Sequence, residues 1–281
     1  MPFSEEITIV AAVNDRKIFE SNLLASPCWT VSDGRRIIVQ EGFRSATKAY
    51  NDAIDCSETD IIVFMHQDMV LPKDWLANFQ RAIRLMEETD PQWGVLGCYG
   101  MPVDGWGRGH VYSNGRGMLG SPFTVPEPVQ TLDEIVLVLR KSSNLRFDEQ
   151  LPHFHFYGTD ICMEAAKRGR KSYVIPAFCV HNTQMNLFLP EEFYGCYRYI
   201  KETWRQYLPI QTTCVRVTSS DYPMYQRRIR EAVRRYFSRK VVAAERARSG
   251  KEILAEVERT FQQEGRSNSD SCPELRAGAQ V

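Results

Sequence analysis

The sequence predicts an α/β fold, a mostly parallel sheet flanked by helices and followed by a helical C-terminal extension. Three observations predict it. Short, β-favouring apolar runs alternate with helical patterns up to Cys98. Several of those runs stop abruptly in polar side chains. Past Asn186 the chain turns aromatic, helical and then strongly basic. Alternation of this kind implies parallel strands joined by covering helices.

The elements follow in order. Ile7 to Val13 is an apolar strand ending in Asn14-Asp15, and Phe19 to Leu24 has helical spacing. Arg36 to Gln40 is the second strand. Ser45 to Ile54 is a helix with Ser45 as N-cap. Ile61 to Met65 is the third strand, and it delivers His66, Gln67 and Asp68 to its C-terminal edge. Trp75 to Met86 is an amphipathic helix with Pro72 near its start. Trp93 to Cys98 is the fourth strand. Gly100 to Pro128 breaks the alternation and reads as an irregular binding loop rich in Gly, Pro and aromatics, Trp106 among them. Val129 to Arg140 returns to strand character, Phe147 to Pro152 is a turn, and Thr159 to Arg168 is a helix. Ser172 to Ile175 and Phe178 to Val180 are short strands leading into His181. Glu191 to Tyr207 is helical. Tyr225 to Phe261 is one long helical pattern, basic between Arg227 and Lys251. The expected division is a catalytic core over 1–185, a basic helical extension over 186–264, and a disordered polar tail over 265–281.

Composition excludes several classes. A formal net charge of zero over 281 residues gives no global pull toward nucleic acid. No apolar run reaches the ~18 residues of a spanning helix. Met1 to Glu6 is acidic, where a secretory signal needs a basic start and an apolar stretch. The eight cysteines are irregularly spaced, with no C-x-x-C pair, and read as reduced core residues. The expectation is a cytoplasmic protein, with peripheral membrane contact or self-association through the basic helix.

Candidate site residues stand at the ends of apolar runs. Ligands of open α/β sheets bind outside the carboxyl ends of the strands. An unpaired carboxylate cannot continue a buried strand, so Asp68 belongs at such an edge. His181 ends Tyr173 to Val180 in the same way. One Asp, one His and two diphosphate oxygens would go far toward a Mn²⁺ or Mg²⁺ shell. Asp160 opens a helix after Gly158 and is either a first-turn acid or a general base. His153 and His155 alternate with Phe154 and Phe156, so in a strand both face one side, toward an acceptor or a second metal. Asn14, Asp15 and Arg16 follow the first strand, where a base or ribose would lie. There is no G-x-G-x-x-G and no P-loop, which makes a metal the counter-charge for any phosphate. Arg227 to Arg230, Arg234-Arg235 and Arg239-Lys240 punctuate Ile229, Val233, Phe237 and Val241 at helical spacing. That pattern fits either a packed helix or one lying on an anionic membrane.

With Asp68, Asp160 and His181 in this order, the chain resembles the GT-A glycosyltransferases, family 2-like. Within them it is similar to the glycosyltransferase-like branch named for a streptomycin-biosynthesis protein, which carries His-Gln-Asp where most relatives carry Asp-x-Asp. Ala46 to Asn51 with Asp60 to Asp68, Pro72-Lys-Asp-Trp75, and Phe147-Asp148 with Tyr157-Gly-Thr-Asp160 and Pro176 to His181 carry the resemblance, between Ile7 and Thr183. It implies a UDP- or GDP-linked sugar donor and a glycan, lipid-linked or small-molecule acceptor. Asp68 and His181 would hold the ion, and Asp160 would be the base of an inverting displacement. Asn14, Asp15, Gln40, Asn51, His66 and Gln67 would lie on the donor side. Trp106, His153, His155 and Tyr157 would lie on the acceptor side. His66 and Thr159 depart from the acidic residues usual at their positions. Two alternatives stay open: a nucleotidyltransferase, and a non-catalytic module binding sugar nucleotides or glycans.

Overall fold

The structure is a computed structural model that describes residues 6–29, 36–183, 189–237 and 249–270. Its first half realises the expected alternation: β1 (Ile7–Ala12), α1 (Arg16–Ser21), β2 (Arg36–Gln40), α2 (Ala46–Cys56), β3 (Ile61–His66), β4 (Met69–Val70) and α3 (Trp75–Thr89). β1 pairs parallel with both β2 and β3, placing Val10 opposite Ile38 and Phe64. The two-residue period of β3 then feeds two cores. Ile62 and Phe64 join the α2 stripe Ala46, Ala49, Tyr50, Ala53 and Ile54. Ile61, Val63 and Met65 join the α3 stripe Trp75, Phe79, Ala82, Ile83 and Met86 on the other face.

Beyond α3 the chain departs from expectation. The fourth strand shortens to β5 (Leu96–Gly97) and passes into β6 (Tyr99–Met101). The segment read as an irregular loop holds a hairpin, β7 (Arg108–Ser113) with β8 (Gly117–Gly120), and then β9 (Glu127–Val129). The single strand expected over Val129 to Arg140 divides into the end of β9, β10 (Thr131–Leu132) and β11 (Val136–Arg140). Asp133 and Glu134 interrupt that run, and β11 enters the sheet between β3 and β5, antiparallel to both. α4 (Tyr157–Lys167), β12 (Ser172–Val174) and β13 (Cys179–His181) follow. The main sheet has the order β2-β1-β3-β11-β5-β12-β9 and is mixed, with parallel pairing kept among β2, β1 and β3 and between β5 and β12. A second sheet, β10-β6-β7-β13-β4 with β8 on β7, lays β4 antiparallel beside β13.

The C-terminal helices are α5 (Glu191–Thr203), α6 (Tyr222–Phe237) and α7 (Gly250–Asp270). Phe193, Cys196, Tyr197, Ile200 and Trp204 pack in one core with Val10 and Phe64, so packing runs continuously across the expected boundary at 185. Ile253, Leu254 and Val257 of α7 cover Val70 of β4 and Val180 of β13. The one long helix expected from Tyr225 to Phe261 is two helices. Arg239, Lys240 and Val241 lie outside the described residues. Residues 265–270, expected to be tail, continue α7, and 271–281 lie outside the description. Cys28, Cys98, Cys162, Cys179 and Cys196 are buried free thiols, as expected of core cysteines. Among the described residues no helix is long and apolar enough to cross a membrane.

Candidate functional site

β3 and β13 belong to different sheets, yet both end at one corner. His66 closes β3, Asp68 lies between β3 and β4, and His181 closes β13. The register Met69 opposite His181 brings Asp68 alongside, with its backbone oxygen accepting the N–H of Asn182 at 2.9 Å. The His181 Nε2 stands 3.2 Å from Asp68 Oδ1. The His66 and His181 rings meet edge to face at 5.4 Å. One ligand atom from each of His66, Asp68 and His181 falls within 4.8 Å of the others.

The electrostatics follow from this packing. Burial works against the Asp68 carboxylate, but His181 outweighs it and holds the group down at about 2. Burial also opposes charge on His181, and Asp68 overcomes it, raising the imidazole. Burial and the neighbouring His181 both depress His66. His66 Nε2 lies 3.0 Å from the Tyr157 hydroxyl, and that hydroxyl donates to the Glu134 carbonyl at 3.2 Å. With its one proton given to Glu134, Tyr157 accepts from His66 Nε2–H. Nδ1 is then left as a bare lone pair, the form in which imidazole binds metals. Two imidazole nitrogens and a carboxylate oxygen suit Mn²⁺ better than Mg²⁺, which prefers an all-oxygen shell.

A cavity of about 620 Å³ opens at this corner, lined by His66, His181, Asp133, Glu134, Arg116 and His155, and closed at the far side by α5 and α6. The size suits a drug-sized or nucleotide-sized ligand. Asp133 and Glu134 were not singled out from sequence. Two adjacent carboxylates breaking the apolar run from Val129 to Leu139 were the available signal. Burial, with Asp133 beside it, pushes Glu134 up to about 8, against the backbone N–H groups of Gly158, Phe156 and Tyr157 that it accepts. It thus caps α4, whose own N-cap residue, Phe156, supplies no side-chain bond. A Cβ on Gly158 would come within 2.9 Å of Leu132 O and 3.0 Å of Glu134 Cγ, so only glycine permits this approach.

The sequence profile of a glycosyltransferase-like family matches residues 8–201, a span that contains the whole corner. The chain belongs to this family. A curated relative from Fuscovulum blasticum, "ATP synthase subunits region ORF 6", is 27% identical over 157 residues, covering 53% of this chain and 61% of the relative. The chain therefore spans about three-fifths of that relative's length. Among solved structures, S. aureus TarS 1–349 aligns at TM-score 0.46 with 16% identity over 85% of this chain and 73% of that one. The mannosyltransferase PcManGT of Pyrobaculum calidifontis, in complex with GDP-Man and Mn²⁺, aligns at 0.41 with 16% identity over 64% and 58%. The family match, rather than these low scores, carries the assignment.

The remaining residues expected to serve this glycosyltransferase-like chain divide sharply. Gln67 Oε1 accepts the N–H groups of Asn14 and Asp15, each at 3.1 Å, and its Nε2 donates to Asn14 Oδ1 at 2.5 Å. That ledge is exposed at the C-terminal edge of β1 and β3, though Asp15 also caps α1 through Lys17 and Ile18 N–H. Gln40 and Asn51 do not line the cavity. Gln40 is buried and donates to Asp52 on α2 at 2.7 Å. Asn51 is buried and clamps the Phe147 backbone in both directions while donating to Glu149.

On the acceptor side, only His155 reaches the cavity wall, its ring against Phe193. Burial lowers its pKa. His153 does not share a strand with it. It takes a positive φ of 60° and bridges to Ser45 away from the cavity. Tyr157 is buried behind His66. Trp106 is 82% exposed on the loop between β6 and β7, outside the cavity wall. Asp160 is 2% exposed and accepts Trp204 Nε1–H at 2.7 Å. One residue earlier on α4, Thr159 takes the position facing the cavity. A helical step of about 100° separates the two.

Proposed function

We propose that the chain is a metal-dependent glycosyltransferase, moving a sugar from a UDP- or GDP-linked donor to an acceptor hydroxyl. The observation that carries this is the convergence of His66, Asp68 and His181, with His66 and His181 on the wall of the cavity, within the span matched by the family. These three residues would hold Mn²⁺, which when bound neutralises charge on the diphosphate leaving group. Gln67, Asn14 and Asp15 would form the nucleoside ledge. Arg116 sits in the β7–β8 turn, whose Asn114 N–H is bonded to His181 O at 2.8 Å. It lines the cavity, forms no ion pair among the described residues, and would add fixed positive charge to the diphosphate side.

In the inverting form of the reaction, the acceptor oxygen bonds the anomeric carbon and the bond to the diphosphate breaks. Its electron pair leaves with the phosphate, and a carboxylate takes the hydroxyl proton. Asp160 and Asp133 are the contenders for that proton. Asp160 is the residue family resemblance indicates, but its Oδ1 is bonded to Trp204 in the core. Asp133 lines the cavity, and a base must come within hydrogen-bond reach of the reacting hydroxyl, so geometry favours Asp133. Asp133→Asn should then cut kcat by ~10²-fold while Asp160→Asn keeps most of it. The reverse result returns the role to Asp160.

Nucleotide release from UDP- and GDP-sugars with Mn²⁺, with and without chelator, tests the activity. Turnover that disappears with chelator supports it. Metal-independent binding without turnover would make the protein a binding module instead.

A further inference from the structure

Four large apolar side chains on α6 stand in solvent: Tyr222 is 63% exposed, Tyr225 61%, Ile229 64% and Val233 49%. Their spacing, 222-225-229-233, is that of one helical face. Of the cavity-lining residues of the same helix, Arg227 and Glu231 lie on roughly the opposite side by the 3.6-residue period, and Arg230 flanks the stripe about 100° from Ile229. Met224 faces the core. α6 is therefore a wall, with the site behind it and an uncovered apolar stripe in front. The sequence of α6 carries Arg227, Arg228, Arg230, Arg234 and Arg235 against the single acid Glu231. Arg227 pairs with Glu231 at 3.0 Å and Arg228 with Glu191 at 3.5 Å, while Arg230 has no ion pair among the described residues.

We infer that this face of α6 lies on the surface of an anionic lipid bilayer. The charge decides among occupants. A second copy would set one arginine-rich helix against another, which like-charge repulsion opposes. Four side chains also fall far short of the ~800 Å² per partner that a stable protein interface buries. A bilayer asks for less: a narrow apolar stripe with tyrosines at headgroup level, and flanking cations, each worth about 1 kcal/mol near an anionic surface. The sequence pattern alone left both packing and membrane contact open for Ile229 and Val233, and their exposure removes the first.

The inference needs no glycosyl transfer, so it stands or falls separately from the proposed activity. The full chain is sedimented with vesicles of phosphatidylcholine alone and with added phosphatidylglycerol. It should bind the anionic vesicles and not the neutral ones, and release at high salt. Ile229→Glu with Val233→Glu should weaken binding at least about tenfold without changing the circular dichroism. Arg230→Gln, which leaves the stripe intact, should weaken it by about fivefold. Equal binding to neutral vesicles, no vesicle binding, or a stripe variant that changes the solution mass instead would overturn the inference.

Discussion

The corner at His66, Asp68 and His181 and the helices α2 and α4 contain similar polar side chains, and they differ in how those side chains are occupied. At the corner, among the described residues, the Asp68 carboxylate pairs with the His181 ring, and His66 is left with one nitrogen unspent. Along α2 and α4, Asn51 bonds Phe147 and Glu149, and Asp160 bonds Trp204 inside the core. Residue type does not separate a ligand site from a structural clamp here. Hydrogen-bonding capacity left over after folding does.

Asp68→Ala breaks the comparison hardest. It should lower turnover by ~10²- to 10³-fold, since the carboxylate is the single anionic ligand of the proposed site. Calorimetry should show that Mn²⁺ no longer tightens nucleotide binding. Unchanged turnover would put the corner with the clamps. Asn51→Ala is the counterpart. It removes three hydrogen bonds, two of them buried, and should cost about 3 kcal/mol in a urea titration, with the donor KM unaltered. A raised KM at unchanged stability would return Asn51 to the donor site.

Asp160→Asn sharpens the contrast through pH. Burial raises the Asp160 carboxyl from an ordinary 3.8 to about 6, partly opposed by Trp204. The folded chain thus keeps a proton there that the unfolded chain releases. The associated stability is complete below the unfolded value and is lost as pH rises through the window up to about 6. Asn at this position still accepts from Trp204 and should flatten the slope in that window, an effect of up to ~3 kcal/mol on the difference between the two denaturation curves. Parallel curves would mean that Asp160 is not buried as described. The smallest effect belongs to Tyr157→Phe, which leaves His66 Nε2 without its partner. Mn²⁺ affinity should fall about tenfold with the fold intact. No change in affinity would show that His66 does not depend on Tyr157 for its tautomer.

Local periodicity was enough for the β1, β2, β3 unit and its helices, because a two-residue or 3.6-residue stripe is written in the chain and needs no partner to be legible. The same holds for Asp68 and His181 at strand ends, where an ionisable group after an apolar run must face an edge. The tertiary structure alone decided the rest. The antiparallel entry of β11 and the pairing of β4 with β13 depend on strands far apart in sequence. So does the turning of Asp160 toward Trp204 and of Asn51 toward Phe147, since a hydrogen-bond partner some 44 or 96 positions away leaves no trace in the spacing of its acceptor or donor. Asp133 and Glu134 were legible as an interruption, but their place on the cavity wall came from the fold.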